Sequence, residues 1–438
     1  MSLSGTSGPP LRAPLQRPAF RRLALTYAVN ELGDWMGIVA LAVLVFDQTD
    51  SAYATAGLFL GTRFLPALLS PFVVVRAERV PPRVALPAIY CLEAAAFGCL
   101  ALLVTRFSLA AVILVAVIDG TLALVGRALT RATVVALLEP SGELRAGNAV
   151  LNVAFTGGAA VGPAVAGLVV AGFGIQTALL LNAASFGAIA WILLTARGLP
   201  SLPADAGRML ERLRAGLTYI RSQVILRRLL FAVAAAFVFF AAVIPIEVIY
   251  AKETLDAGDS GYGWLLASWG AGMVLGSLVF AGLRRMPLPV LLLGSTLAVG
   301  VGYLGLAAAP VLASACAASV LGGAGNGVQW VGVISAVQEL TRQGMQARVL
   351  SVLESVGAAM PGVGYLVGAL VASGHNPRAT FLVAGLGVIA VVAVAAPLIG
   401  GRWSGGREDG ETGGDPTDDV LVELRPRERA GVTGPENG

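Results

Sequence analysis

Three polar side chains lie close together in the first long apolar stretch of the sequence, TYAVNELGDWMGIVALAVLVF. They belong to Asn30, Glu31 and Asp34. An ionised carboxylate in such a surrounding is costly unless it is paired, protonated or in contact with water. Burial favours the neutral form of a carboxyl group, and a nearby arginine favours the ionised form. Two acids beside one arginine can therefore hold a proton that an incoming ligand displaces, which is the physical requirement of proton antiport.

The second apolar stretch supplies a basic partner for these acids at Arg63. Asp34 and Arg63 lie at equal sequence distances, 14 to 15 residues, from the turn between the two stretches. Antiparallel helices joined by a short turn bring equal offsets to equal depth, so we predict that Asp34 and Arg63 lie at similar depth and form a pair. Glu31 lies one turn deeper on nearly the same face. We favour a role in coupling or substrate contact for Asn30, Glu31 and Asp34, and the alternative is a structural ion pair with Arg63.

Two further acids lie near the middle of apolar stretches, Glu93 in the third and Asp119 in the fourth. The same coupling or contact role is a candidate for both, and a structural role is the alternative. Aromatic side chains that could stack on a ligand occur later in the chain. Anchoring at the membrane interface or packing is the expected role for these residues, which are Tyr262, Trp264, Trp269 and Trp330.

Composition predicts the elements that position these residues. The chain has 438 residues, of which 56% are apolar and 13% are charged, and its mean hydropathy is +0.80. A soluble protein carries roughly a quarter charged residues. Apolar runs of about 20 residues recur along the chain, and each is long enough to cross about 30 Å of hydrocarbon as a helix. We predict an all-α integral membrane protein with twelve transmembrane helices, at residues 22–46, 52–75, 84–105, 107–130, 147–171, 175–196, 228–251, 261–283, 288–308, 310–335, 349–373 and 378–399.

The basic residues predict the orientation in the membrane. An even number of spans places both termini on one side. If that side is the cytoplasm, only Arg106, Lys252 and Arg378 of the 30 Lys and Arg residues face outward, and Arg63 lies inside a span. This bias agrees with the positive-inside rule. We therefore expect a multi-pass protein of the cell membrane with both termini in the cytoplasm, and the positive charge gives no indication of nucleic-acid binding.

The chain divides near its middle into two sets of six spans. We predict six-helix bundles over 20–196 and 228–400, joined by a cytoplasmic connection over 197–227 that contains an amphipathic helix. The tail at 1–19 lacks the features of a cleavable signal peptide, and the tail at 401–438 has the composition of a disordered segment. Similar basic motifs follow the second and eighth spans, and paired Gly and Pro residues interrupt the fifth and eleventh. These correspondences indicate an internal duplication with parallel repeats, which places a substrate cavity between the halves.

Several classes of function have no basis in the sequence. The three cysteines lie within spans without metal-ligand spacing, and the single histidine is His375. Neither a metal site nor a nucleophilic Cys-His or Ser-His-Asp arrangement is therefore expected. The glycine repeats lie in apolar spans and no Gly-Lys-Ser/Thr follows them, so the sequence indicates no phosphate-binding loop and no use of ATP. We expect no enzyme activity, no metal and no cofactor.

The motifs of the chain resemble those of a known family, the major facilitator superfamily of transporters. The resemblance covers residues 20–400 and is specific to the branch that includes the enterobactin exporter and macrolide-efflux-like proteins. It implies a 6 + 6 fold of two parallel six-helix repeats. The superfamily often carries an arginine in the fourth span, which is missing near Asp119. Five segments carry the resemblance: ELGDW (31–35), RFLPALLSP (63–71), RATVVALLEPSGELRAGNAVLNVAFTGGAAVGPAVAGLVV (131–170), GYGWLLASWGAGMVLGSL (261–278) and RVLSVLESVGAAMPGVGYLVGAL (348–370).

The loop after the second span corresponds in part to a superfamily motif, Gly-x-x-x-Asp-Arg followed by basic residues. Val74 replaces the glycine, Glu78 stands at the acidic position, and Arg79 matches. In the family this acid holds the inner end of helix eleven and an arginine near helix four. The resemblance therefore implies a conformational gate made by Glu78 with Arg127 or Arg131, since a carboxylate favours a helix N-terminus and an arginine fork. The alternative is a solvated charge pair in the loop.

The fifth span resembles a motif associated with antiporters, Gly-x-x-x-Gly-Pro-x-x-Gly-Gly. Gly158, Gly162, Pro163 and Gly167 match it, and Ala166 replaces one glycine. Small residues four apart let two helices approach closely, and a proline bends its helix. The motif favours export over import, and ordinary helix packing is the alternative.

The resemblance implies a secondary active transporter. The favoured interpretation is a proton-coupled exporter of a small, partly apolar molecule, such as a drug, antibiotic, siderophore or metabolite, that works by alternating access. A nutrient importer or facilitator of the same fold is the alternative. The expected partners are the small-molecule substrate, protons and the lipid bilayer, and the chain is expected to act as a monomer.

Overall fold

The computed structural model describes residues 13–196, 198–200, 209–283, 286–374 and 376–399. Within these ranges, twelve helices are long and apolar enough to cross a membrane, which confirms the predicted all-α membrane fold. Residues 1–12 of the expected N-terminal tail and the expected tail at 401–438 lie outside the described residues. The helices are α1 (Pro18–Thr49), α2 (Ala52–Ala77), α3 (Pro82–Leu103), α4 (Leu109–Leu138), α5 (Leu144–Phe173), α6 (Ile175–Leu194), α7 (Val224–Thr254), α8 (Gly258–Gly282), α9 (Leu288–Ala308), α10 (Leu312–Glu339), α11 (Gln346–Gly374) and α12 (Pro377–Ile399).

Local sequence explains where several of these helices begin and end. Ser51 caps the N-terminus of α2, and Ser108 caps that of α4, because each hydroxyl accepts a hydrogen bond from a backbone N–H three residues later. Proline lies in the first turn of α1, α3 and α9, where its missing N–H is not needed. Asp50 ends α1 in the left-handed conformation, with φ at 48°. The chain therefore reverses tightly between α1 and α2.

Two of the spans contain turns of other helix types. In α2, Leu60–Phe64 form a π-helical turn that carries Arg63 and is followed by Pro66. In α7, Ile244–Ile246 form a 3-10 turn, and Tyr250–Thr254 form a second π-helical turn. Turns of this kind change the direction of the side chains that follow and are frequent at functional sites.

The two sets of six helices pack in the same order. α1 lies against α5 and α6, and α7 lies against α11 and α12. In the same way, α3 lies against α4 and α6, while α9 lies against α10 and α12. This correspondence supports the internal duplication that the sequence indicates.

The two halves meet along two pairs of helices, α5 with α8 and α2 with α11. On the face opposite the two ends of the helical domain, the Tyr53 hydroxyl lies 3.0 Å from Ser373 Oγ. One step further into the protein, the rings of Phe59 and Tyr365 have centroids 5.7 Å apart. The halves are therefore in contact from this face to the middle of the bundle.

A lysine at the same face joins both halves. Lys252 Nζ, at the end of α7, lies 2.5 Å from Asp47 Oδ1 of α1 and 2.7 Å from Asp259 Oδ1 of α8. The bond to Asp47 connects the two halves, whereas the bond to Asp259 lies within the second half.

The face that carries the two ends of the helical domain is open between the halves. Past the π-helical turn of α2, Leu68, Leu69 and Phe72 are 45% to 67% exposed. One cluster of buried apolar residues runs through the first half and the opposite face of the second, but the termini face of the second half has a separate cluster. The structure is thus closed on the far face and open on the termini face.

A further helix, Met209–Ser222, connects the two halves along the termini face and is called the connecting helix. It contacts α11, where a Cβ on Gly216 would lie 2.6 Å from the carbonyl oxygen of Arg348. The Tyr219 hydroxyl accepts a hydrogen bond from the backbone N–H of Arg342 at 3.3 Å. The predicted amphipathic helix therefore exists and is attached to the second half.

Candidate functional site

The centre of the first half contains an ion pair between α1 and α4. Arg127 Nη2 lies 2.9 Å from Asp34 Oδ2, and Asn30 donates a hydrogen bond to the same oxygen at 3.3 Å. Asn30 is buried, while the side chains of Arg127 and Asp34 keep 23% and 20% of their surface exposed. The pair is therefore desolvated on most sides and accessible on one.

The predicted pair of Asp34 with Arg63 does not form, because α4 packs beside the first helical hairpin and brings Arg127 to the acid. The expectation that the fourth span lacks the superfamily's arginine is also wrong, since Arg127 follows Asp119 by eight residues in α4. The depth derived from the hairpin is nevertheless consistent with the structure. Arg63 lies on the wall of the same cavity as Asp34, with its side chain exposed.

This cavity has a volume of about 70 Å³ and lies between α1, α2, α3 and α4. Its charged lining residues are Asp34, Arg63, Asp119 and Arg127, and Phe97 closes one side. A volume of about 10 to 15 Å³ is enough for one water molecule. The cavity can therefore hold several waters, or a small polar group of a ligand, among charges of both signs.

Glu31 lies one helical turn from Asp34 and is only 2% exposed. Its Oε1 receives no hydrogen bond from any residue that the structure describes. Tyr27 lies one turn earlier on α1, beside both Glu31 and Arg131. A line of ionisable groups thus runs along α1 from the cavity toward the termini face.

Glu93 and Asp119 extend the acidic group away from α1. Glu93 is completely buried, and neither of its carboxylate oxygens has a hydrogen-bond partner in the described part of the chain. The same holds for Asp119 Oδ1. Both groups are near enough to interact electrostatically with Asp34. An ionised carboxylate without a partner is costly in such a place, so both groups are suited to carrying a proton.

Glycines let the helices around the cavity approach one another. A Cβ on Gly37 of α1 would lie 2.5 Å from the ring of Phe97, and a Cβ on Gly120 of α4 would lie 2.5 Å from the carbonyl oxygen of Thr62. Larger residues at these two positions would push α3 away from α1 and α2 away from α4. The narrow cavity therefore depends on small residues as well as on the charged ones.

The glycines of the fifth span contact two different partners. A Cβ on Gly158 would lie 2.9 Å from Glu31 Cβ, and a Cβ on Gly162 would lie 2.8 Å from Trp35 Cβ. These two glycines receive α1 at the level of the acids. A Cβ on Gly167 would lie 2.9 Å from the Cα of Gly263, in α8 of the other half, and the carbonyl oxygen of Pro163 faces the same glycine. The motif therefore joins the acidic group to the contact between the halves.

The expected gate residues are separated in this structure. Arg127 pairs with Asp34 and is not available to Glu78, and Arg131 lies beside Tyr27. Glu78 is partly exposed at the end of α2, Arg79 is exposed, and neither forms an ion pair with another described residue. Because the termini face is open here, a gate that closes this face has no contacts to make.

Sequence reasoning missed one polar residue of the site, Asn182 in α6. Its side chain is fully buried, and its Nδ2 has no acceptor among the described residues. Its Oδ1 lies where a Cβ on Gly33 would be, at 2.3 Å. The available signal was an isolated amide in the middle of an apolar span. No cluster of three or more His, Cys, Asp or Glu residues in the described ranges has the arrangement to hold a metal ion.

Comparisons with known proteins agree with this architecture. Residues 10–400 match the model of a family described as transmembrane secretion effector. No curated protein matches the sequence.

Three solved structures show the likeness of the fold. The nucleoside transporter NupG is 12% identical, with a TM-score of 0.70 over 87% of this chain and 98% of that one. A bacterial homolog of the human lysosomal transporter Spinster, inward-facing and unoccupied, is 14% identical, with a TM-score of 0.67 over 92% and 99%. The peptide transporter POT in complex with sulfate is 14% identical, with a TM-score of 0.68 over 87% and 95%. At these identities the likeness concerns the fold alone, and all three proteins are transporters.

Proposed function

The chain belongs to the transmembrane secretion effector family of major facilitator transporters, and on this premise we propose that it is a proton-coupled exporter of a small, partly apolar molecule. It works by alternating access in the cell membrane, with the termini face toward the cytoplasm. The description of the family supports export, and the arginine bias of the sequence supports this orientation.

The observation that carries the proposal is the imbalance of charge around the first-half cavity. Four carboxyl groups, those of Glu31, Asp34, Glu93 and Asp119, share two arginines, Arg63 and Arg127. Only Asp34 has an arginine within ion-pair distance among the described residues. Keeping all four acids ionised would leave unpaired charge in a region of low dielectric, which is costly. The group therefore takes up and releases protons as its access to water changes.

Arg63 supplies the link between this proton and a substrate. It is exposed on the cavity wall, on the π-helical turn of α2 that faces the second half. An anionic or polar group of a substrate can bind Arg63, or Arg63 can turn to Asp34 when the cavity is empty. Either event changes the number of positive charges that face the acids, and this change couples substrate occupancy to the bound proton.

The residues near the termini face form the gate of the opposite conformation. When this face closes, Glu78 and Arg79 approach the start of α11 and the end of α4, where Arg131 is exposed. A carboxylate is stabilised near the N-terminus of a helix and by an arginine fork. Glu78 with Arg131 therefore favours the outward-open state, whereas Lys252 with Asp47 favours the state described above.

A nutrient importer or facilitator is the second candidate function. The likeness of the fold to a nucleoside transporter and a peptide transporter supports it. An importer of this kind would not require that substrate accumulation depend on a pH gradient directed for export.

Transport into inside-out membrane vesicles separates the two functions. Candidate antibiotics and metal chelators are offered with an imposed pH gradient, acid inside. For the exporter, accumulation in wild-type vesicles collapses when the gradient is dissipated. Asp34→Asn abolishes accumulation but retains counterflow of the same compound, because the amide keeps the hydrogen bonds and cannot release a proton. Asp256→Asn, an exposed acid outside the cluster, is the matched control and transports normally. Accumulation only in right-side-out vesicles would show the importer.

A further inference from the structure

A second cavity lies in the other half, between α7 and α10. Its enclosed volume is about 30 Å³, and its lining includes Phe237, Phe240, Val299, Asn326, Gln329 and Trp330. The first-half cavity lies between the equivalent helices, α1 and α4. The two halves therefore each contain a cavity at the same place in the repeat.

Helix positions in the two halves can be matched by the starts of equivalent helices. α7 begins 206 residues after α1 and α9 begins 206 residues after α3, whereas α10 begins 203 residues after α4. These offsets bring a set of ionic residues, Glu31, Asp34, Glu93 and Arg127, onto a set of apolar ones, Phe237, Phe240, Val299 and Trp330. The half that handles charge thus has an aromatic counterpart in the other half.

Two rings at the mouth of the second cavity are available for stacking. Trp330 is 41% exposed, and its ring meets that of Phe237 edge to face, with centroids 6.3 Å apart. The other candidate aromatics are engaged in packing. Trp269 stacks on Tyr303 at 5.3 Å, and Tyr262 is only 1% exposed. Trp330 and Phe237 are therefore the rings that a molecule in the space between the halves can reach.

The polar groups of this cavity differ in how far they are satisfied. Gln329 donates a hydrogen bond from Nε2 to Thr296 Oγ1 at 2.7 Å. The side-chain amide of Asn326 forms no hydrogen bond with any described residue, although it lines the cavity. An amide in an apolar surrounding without partners costs free energy that a ligand with a polar edge can recover.

We infer that Trp330, Phe237 and Asn326 form a subsite for a planar aromatic part of the transported molecule. This inference rests on the proposed transport function and adds the class of substrate, which is a molecule with an aromatic ring system whose edge carries hydrogen-bond donors or acceptors. The enclosed volume of about 30 Å³ admits only the edge of a ring. The ring itself lies at the mouth against Trp330, and its edge meets the amide of Asn326.

Binding measurements with the full-length protein in nanodiscs test the subsite. The probes are three tricyclic molecules: lumichrome, which is neutral with a polar edge, proflavine, which is cationic with amino groups at its edge, and anthracene, which has no polar edge. Calorimetric titration is carried out without a pH gradient, and empty nanodiscs correct for partition into lipid. We expect lumichrome or proflavine to bind saturably and more tightly than anthracene.

Substitutions distinguish stacking from hydrogen bonding. Trp330→Ala and Phe237→Ala weaken binding of the polar-edged probe by about tenfold, and Trp330→Phe weakens it by only about threefold because a ring remains. Asn326→Leu weakens it by about fivefold without changing the affinity for anthracene. Trp191→Ala, which removes a 70% exposed ring from α6, is the control and changes nothing. Melting temperatures of the variants show that each is folded.

The possible outcomes separate the subsite from the transport function. Failure of both polar-edged probes to bind saturably, or equal affinity in wild type, Trp330→Ala and Phe237→Ala, overturns the subsite. Proton-driven export of another compound would leave the proposed function standing in that case. Conversely, ring-dependent binding in a protein that shows no proton-coupled accumulation supports the subsite and removes the coupling mechanism.

Discussion

At the scale of single residues, the position of Arg127 determines how the acids of α1 are stabilised. Its guanidinium is the group that pairs with Asp34, and Asn30 supports the same carboxylate oxygen. Removal of one partner from a desolvated ion pair leaves the other charge without compensation, and for a fully buried pair this costs about 3–5 kcal/mol. Neutral replacement of both partners avoids that cost.

We therefore expect Arg127→Gln to lower the melting temperature, and the double variant Arg127→Gln, Asp34→Asn to recover most of the loss. Arg63→Gln is the matched control and has little effect on stability, since Arg63 is exposed and pairs with no carboxylate in the described ranges. Thermal unfolding of the purified proteins in one detergent measures all three. Equal destabilisation by Arg63→Gln and Arg127→Gln would show that the hairpin pairing of Asp34 with Arg63 is the stabilising one.

At the scale of helices, the contact between α5 and α1 depends on which glycines of α5 face its neighbour. Gly157 and Gly158 are adjacent, but only Gly158 faces α1. A Cβ on Gly158 would lie 2.9 Å from Glu31 Cβ, whereas a Cβ on Gly157 would meet nothing within 4 Å. Glycine in an exposed helix interior is less favourable than alanine by roughly 0.5–1 kcal/mol.

Gly157→Ala is accordingly expected to leave stability unchanged or to raise it slightly, and Gly158→Ala to lower it, because α1 must shift away from α5. Gly158→Ala should also reduce proton-coupled transport, since the shift occurs at the level of Glu31. The melting temperature and the initial transport rate of both variants are the measurements. Identical behaviour of the two variants would contradict the packing described here.

At the scale of the whole molecule, the bonds of Lys252 determine how firmly the far face is closed. Asp47→Asn breaks the bond between the halves, and Asp259→Asn breaks a bond within one half. An exposed salt bridge contributes roughly 0.2–1 kcal/mol. We expect Asp47→Asn to raise the outward-open population by about 1.5- to 5-fold, and Asp259→Asn to change it much less.

Electron spin distance measurements between labels at Thr105→Cys and Val311→Cys follow this equilibrium, because both positions are exposed on the far face in different halves. The three native cysteines are replaced by serine in every sample. A longer distance component that grows equally in both variants would assign the closure to contacts other than the bond between Lys252 and Asp47.

Sequence reasoning reached the fold of this molecule but only part of its site. Twelve spans and their internal duplication follow from hydropathy and short motifs, which are local properties. The depth of Asp34 relative to Arg63 follows from the length of one hairpin, and both residues do line one cavity. The true partner of Asp34 could not be derived in this way. It depends on α4 lying beside α1, and on the rotation of α4 about its axis that directs Arg127 inward.

The attachment of the connecting helix has a mechanical consequence for rocking of the two halves. If this helix were free, the link between the halves would run from Ala196 to Val224. Because Gly216 and Tyr219 fasten it to the second half, the effective tether is only the dozen residues between Ala196 and Met209. Such a segment spans at most about 40 Å when fully extended. Its length therefore sets an upper limit on how far the termini face can open, as a strap limits the swing of a lid.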